Sequence, residues 1–266
     1  MDFRILHDTS GRELSYLLAD RQAGEALLID PRGRDLPVIQ ALLQEKRLTL
    51  RWVLRTHHHD HLQPMEFARL RQLGAPVVQG EVRDGARTAH NNEQLDFGRE
   101  RVQVWATPGH TVHCLSFVWR DRVFCGGLLA LDACPLQPYP ADAAALWDSV
   151  TRRLFSLPDE TLLFAGHEVP LQAVTSVWAQ RRTHPWFARL DRDAFITRWS
   201  RLDSYSDPNR VSLNRPGAIH PGWPATDCVP PTRGCISAAR GVELTLSSPC
   251  SRSTLQVHGL VCSDAM

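Results

Sequence analysis

Lysine is almost missing from this 266-residue chain: Lys46 stands alone among 30 basic residues, and the rest are arginine. Arginine forks suit carboxylate and phosphate recognition, but a skew this uniform reads as the codon composition of a GC-rich genome. An excess of either charge is missing too. The 30 basic residues face 29 acidic ones, for a net charge of +1, which excludes nucleic acid and anionic membrane as expected partners. No apolar run approaches the roughly 18–20 residues that span a bilayer. The opening MDFRILHDTSGRE lacks the basic and then apolar stretch of a secretory signal. The seven cysteines lack the paired short spacings of a zinc ribbon, and an odd total without a signal points to reduced thiols in a cytoplasm. Four of them, Cys228, Cys235, Cys250 and Cys262, fall in the last 39 residues.

What is present alternates. Short apolar runs at Leu14–Leu18 and Ala26–Ile29 read as strands, with Gly24 between them. Asp35 is placed to cap a helix running to about Lys46, with Pro37 in its first turn. Strands are expected at Leu48–Leu54, near Val77 and at Val102–Ala106. A hairpin at Leu115–Trp119 and Val123–Cys125 turns on Arg120 and Asp121. Helices are expected at about Met65–Leu73 and Ala141–Leu154, then a strand at Thr161–Ala165, then helices at Leu171–Arg182 and Asp193–Arg201. Loops carrying His or Gly follow several strand ends, which predicts a layered α/β protein with its site on one rim of the sheets. Past residue 203 no period persists, and residues 204–266 are expected to be a low-structure tail rich in Pro, Ser and Cys behind a domain of residues 1–203.

Thr56-His57-His58-His59-Asp60-His61 carries the strongest chemical signal. Protonated, the four histidines would repel one another; neutral, they and the carboxylate suit a borderline divalent metal. On an extended segment His57 and His59 share a face and can grip one ion, while Asp60 and His61 can point toward a second. Two distant histidines follow strand ends in the same way. His110 sits in TPGHT, where Pro108 and Gly109 force a tight turn, and His167 sits in GHE.

The segments FRILHDTSGRELSYLLAD, EALLIDP, THHHDH, ATPGHT, FCGG, FAGHE and RRTHPWF resemble the metallo-β-lactamase superfamily, within it the glyoxalase II and persulfide dioxygenase branch. The resemblance spans roughly residues 2–200. It implies an α/β (α+β) fold, an αββα sandwich of two mixed sheets flanked by helices with metal at one sheet edge. It gives His57, His59 and His110 to a first metal and Asp60, His61 and His167 to a second-metal group. A single iron of the dioxygenase branch would use two histidines, here His57 and His110, and an aspartate. Asp30 in IDP is implied to cap the floor of the site, and Glu168 is a candidate partner for His167.

Two departures matter. The superfamily motif T-H-x-H-x-D-H has seven residues and Thr56–His61 has six. Aligned from the left, His57 and His59 fit; aligned from the right, Asp60 and His61 fit and His58 takes the place of His59. A one-residue slip reverses the face of a strand, so both halves fit only with a bulge. Gly127 also stands in FCGG where the resemblance places a metal-bridging aspartate; Asp132 and Asp60 are candidate replacements. The expectation is therefore one divalent metal rather than two, zinc before iron, on His57, His59 and His110 with a water in the fourth position. The implied reaction is hydrolysis of a small-molecule thioester of the hydroxyacylglutathione type by metal-bound hydroxide, with Asp60 also assigned a catalytic part. The alternatives are an iron-dependent glutathione persulfide dioxygenase and a catalytically degenerate binding protein of the same fold. Arg181, Arg182 and Trp186 are candidates for holding an anionic thiol, and Cys125 is expected to be buried and inert.

Overall fold

A computed structural model describes residues 1–7, 13–58, 64–81, 85–129, 140–169, 172–203 and 256–258. Of 64–67, 168, 169, 172, 173, 202, 203 and 256–258 it describes the backbone. The chain divides into two compact units, one of Met1–Ser204 with Thr254–Met266 and one of Tyr205–Ser253. The second lies outside the described residues, so the account below is of the first.

Its strands in chain order are β1 (Asp2–His7), β2 (Leu14–Asp20), β3 (Glu25–Ile29), β4 (Thr49–Leu54), β5 (Val77–Gln79), β6 (Arg87–Thr88) and β7 (Gln94–Phe97). They continue as β8 (Glu100–Ala106), β9 (Leu115–Trp119), β10 (Arg122–Gly126), β11 (Leu162–Val169), β12 (Gln172–Ser176) and β13 (Gln256–His258). The helices are α1 (Leu36–Glu45), α2 (Pro64–Arg71), α3 (Ala143–Asp148), α4 (Val177–Thr183) and α5 (Arg192–Asp203). One sheet runs β13-β1-β2-β3-β4-β5-β6 and the other β12-β11-β10-β9-β8-β7. Both are mixed: β3, β4, β5 and β6 pair in parallel beside an antiparallel β1–β2–β3 meander, and β10 and β11 pair in parallel inside an otherwise antiparallel sheet.

The period of two in the buried strands explains the layering. In β2 every residue is buried, but Leu14, Tyr16 and Leu18 face the other sheet while Leu17 and Ala19 face the Ile39 side of α1. The same split occurs in β10, where Phe124 enters the inter-sheet core and Val123 and Cys125 face Leu146, Phe195 and Trp199 of α3 and α5. Strands covered on both faces read as unbroken apolar runs rather than as alternation. The result is helix, sheet, sheet, helix, as the sequence implies.

Several local expectations change. Asp35 does stand at the start of α1, but its carboxylate makes no capping bond. It pairs instead with the buried Arg32 guanidinium, which also donates to the Glu13 carbonyl; a charged partner outcompetes a backbone amide. The helix expected at Leu171–Arg182 is β12 followed by α4, because Leu162–Phe164 of β11 offers an open edge that Val174–Ser176 completes. Ser176 then caps α4 by accepting from the Ala179 amide at 3.2 Å. The expected long helix at Ala141–Leu154 is α3 continued by a π turn at Ser149–Arg153 and a 3-10 turn at Leu154–Ser156. β7 escaped prediction, although Leu95 and Phe97 alternate inward and pair with β8.

Two polar clamps join the sheets along β2. The Tyr16 hydroxyl donates to the Ala165 carbonyl of β11. At the far end of β2, Asp20 accepts from the amide and guanidinium of Arg99 in the β7–β8 turn. Those bonds pull its pKa down to about 2.

Candidate metal centre

The site forms where β4, β8, β10 and β11 end. Asp30, just past β3, holds a left-handed backbone with φ of 49°. From there its carboxylate accepts from the Thr56 amide at 2.7 Å and from the Thr56 hydroxyl at 2.6 Å. Burial raises Asp30 to about 6 against the lowering pull of those two bonds and of Arg55. Thr56 has one hydroxyl proton and gives it to Asp30. Its oxygen, 2.7 Å from His57 Nδ1, therefore accepts from that ring. This fixes the tautomer: Nδ1 of His57 carries the proton and Nε2 presents a lone pair. The floor role implied for Asp30 is thus an orienting one, exerted through Thr56.

His57 Nε2 lies 3.2 Å from His167 Nε2. Two such nitrogens face each other only when one carries a proton or both share a cation. Burial holds His167 down at about 4, so the ring is neutral at physiological pH, the state in which imidazole ligates. His110 completes a triangle of rings. Its centroid is 4.9 Å from that of His57 and 6.3 Å from that of His167, while His57 and His167 are 5.2 Å apart. The sequence reading split these three residues between two metal groups, and the fold draws them into one cluster. His59, Asp60 and His61 lie outside the described residues, as do Asp132 and the side chain of Glu168. Among the described residues no group of three or more His, Cys, Asp or Glu side chains is placed to hold a metal ion.

His110 is fully buried, and its loop is pinned to the chain on either side of α3. The Ala141 amide donates to the His110 carbonyl at 3.2 Å and the Asp142 amide to the Gly109 carbonyl at 3.1 Å. Ser149 donates to the Pro108 carbonyl at 2.7 Å. Gly109 is required here, since a Cβ would stand 2.2 Å from Leu146 Cα and its φ is 141°. The floor beneath the rings is made of bare backbone. A Cβ at Gly126, whose φ is 55°, would meet Thr56 Oγ1 at 2.4 Å, and one at Gly166 would meet His57 Cε1 at 3.3 Å. Glu81 lies 3.9 Å from His58 Nδ1 and 3.8 Å from His113 Nε2.

The other candidates are engaged elsewhere. Arg181 pairs with Asp159, Arg182 covers the Trp178 ring at 4.8 Å, and Trp186 stacks on Trp199 at 4.7 Å. Cys125 is buried, which pushes its thiol up to about 12. His184 had no role in the sequence reading. Its Nδ1 accepts from the amides of Trp186 and Phe187 at 3.2 and 3.3 Å, so Nε2 carries the proton and donates to the Leu129 carbonyl at 3.2 Å. It ties the RRTHPWF segment to the chain leaving Gly127. Its signal in the sequence was its place in RRTHPWF, one of the segments that carry the resemblance.

No protein-family model matches the chain. The chain is 30% identical over 177 residues to the mitochondrial persulfide dioxygenase ETHE1 of Homo sapiens, covering 64% of this chain and 70% of that protein. The crystal structure of ETHE1 from Myxococcus xanthus matches with a TM-score of 0.67 and 34% identity, covering 76% of this chain and 92% of that one. A metallo-β-lactamase from Staphylococcus aureus shares the fold, with a TM-score of 0.63 and 23% identity over 74% of this chain and 65% of that one. The chain belongs to the metallo-β-lactamase superfamily. Within the superfamily it is also 32% identical over 159 residues to the hydroxyacylglutathione hydrolase of Yersinia enterocolitica, covering 59% of this chain and 62% of that hydrolase. Both branches named by the sequence resemblance are therefore represented among its relatives. In the superfamily frame Gly127 follows β10 directly, and no side chain leaves that strand end toward His110.

Proposed function

We propose that the chain is a metal-dependent hydrolase of small thioesters of the hydroxyacylglutathione type, working in a reducing cytoplasm through one divalent ion, zinc before iron. His57, His110 and His167 would hold the ion, with His59, Asp60 and His61 the further donors that the motif offers. The observation that carries this reading is the donor set: three imidazoles meet, and the end of β10 offers glycine where a carboxylate ligand is implied. A nitrogen-rich set suits zinc, whereas non-haem iron oxygenases use two histidines and a carboxylate. The free thiol of Cys125 fits a reducing compartment.

An ion bound there supplies Lewis acidity to a thioester carbonyl and acidifies a water. The chain's own residues do the rest. Asp30 and Thr56 hold the His57 Nδ1 proton, so that Nε2 faces the centre. Burial keeps His167 neutral, and the loop docked on α3 fixes His110. Asp60 is assigned as the carboxylate that takes the proton of the attacking water. Water oxygen bonds the acyl carbon, the C–S bond breaks, and the thiolate leaves to take up a proton.

The identities to persulfide dioxygenases favour a second reading, iron-dependent oxidation of a glutathione persulfide, with Asp60 as the carboxylate ligand. Parallel assays of purified protein decide. Thioester cleavage by the zinc-loaded chain without O₂ uptake supports the hydrolase. O₂ uptake on glutathione persulfide by the iron-loaded chain, with no thioester turnover, overturns it. A folded chain that binds neither metal and turns over neither substrate indicates the degenerate binding protein.

A further inference from the structure

Gly127 keeps an ordinary backbone. Its φ lies outside the left-handed region, unlike that of Gly126, so the chain path does not demand glycine there. The demand comes from His110. A Cβ built on Gly127 would stand 2.4 Å from His110 Nδ1, 2.5 Å from Cε1 and 2.7 Å from Cγ. Contacts below about 3 Å are relieved only by movement, and this ring cannot yield cheaply. It is fully buried, its loop is anchored by the bonds from Ala141 and Asp142 at the entrance to α3, and Cys114 Sγ lies 3.7 Å from its Nδ1.

We propose that Gly127 is a positioning residue: its missing side chain is the space in which the His110 imidazole stands, so this centre takes a ring where a carboxylate from the end of β10 would otherwise project. His110 and a side chain at 127 are therefore mutually exclusive. Placing an aspartate at 127 dismantles the centre instead of completing it. The steric part stands alone, and the metal part rests on the proposed function above.

A double-mutant cycle tests the steric part without metal. Thermal unfolding is measured in chelator for the wild type, G127A, H110A and the double variant. G127A is expected to lower the midpoint on the order of 5 °C. The same change in the H110A background, where the ring is gone, is expected to cost less than about a third of that. Equal costs in both backgrounds, or none in either, overturn the proposal. If G127A yields no folded protein, recovery of folding in the double variant supports it and failure there overturns it. For the metal part, G127D is titrated with zinc and with cobalt(II). Affinity at least about tenfold below wild type is expected, and equal or tighter binding overturns the proposal. A wild-type chain that binds no metal would count against the proposed function, while the midpoints would still decide the steric claim.

Discussion

Thr56 donates a hydrogen bond to Asp30 and accepts one from His57 Nδ1, so a methyl in place of its hydroxyl removes the acceptor that orients the ring. Thr56→Val is expected to weaken metal binding by about 10- to 100-fold with the chain still folded, a range found for groups that orient ligating histidines; equilibrium titration with zinc reads it. His167→Ala is expected to abolish tight binding as completely as His57→Ala, because the two Nε2 atoms face each other at 3.2 Å. Retention of one tight equivalent in that variant would show two separate sites. Cys125, pushed up to about 12 by burial, is expected to resist alkylation at pH 8 in the native chain and to react after denaturation, as peptide mass spectrometry resolves. At this scale the sequence singled out His57, His110 and His167 as candidates, and the fold brings their rings together, but their grouping was not legible. THHHDH, TPGHT and GHE carry candidate ligands, but nothing in their spacing says that His167 lands on His57. Likewise Gly127 looks like a lost aspartate until the His110 ring is seen in its place.

Strands legible as unbroken apolar runs, such as Leu14–Leu18 and Ala26–Ile29, formed where expected because burial on both faces leaves no competing period. The segment at Leu171–Arg182 misled because five residues of strand and seven of helix are each too short to show a period. Pairing with β11 decided between them. Between the two sheets, the Tyr16 hydroxyl ties β2 to β11, and Tyr16→Phe is expected to cost about 1–2 kcal/mol in urea unfolding by stranding the Ala165 carbonyl. The turn after β3 carries a pH effect of definite sign. Folding raises Asp30 from 3.8 to about 6, so the unfolded chain gives up that proton first. Asp30 therefore costs nothing below about pH 4, and its contribution to stability falls as pH rises toward about 6, by about 3 kcal/mol at most. His167, held down at about 4, contributes the opposite slope over much the same range. The Asp30 effect is therefore read as the difference in unfolding free energy between metal-free wild type and Asp30→Asn, which is expected to shrink as pH rises from about 4 to about 6.

At the scale of the molecule, four layers place the ends of β4, β8, β10 and β11 together. A layered α/β protein was legible from the alternation of strands and helices, and the helix-sheet-sheet-helix order was what the resemblance implied. The clamps at Tyr16 and Asp20 and the docking of α3 on the His110 loop were not, since each joins residues distant in the chain. Among the described residues no helix is long and apolar enough to cross a membrane. The central claim is a single metal centre built on imidazoles, and equilibrium titration of the metal-free chain with cobalt(II) tests it most directly. Saturation at one equivalent per chain, with the intense visible bands of a four-coordinate ion, is the predicted result; two tightly held equivalents, or none, would contradict it.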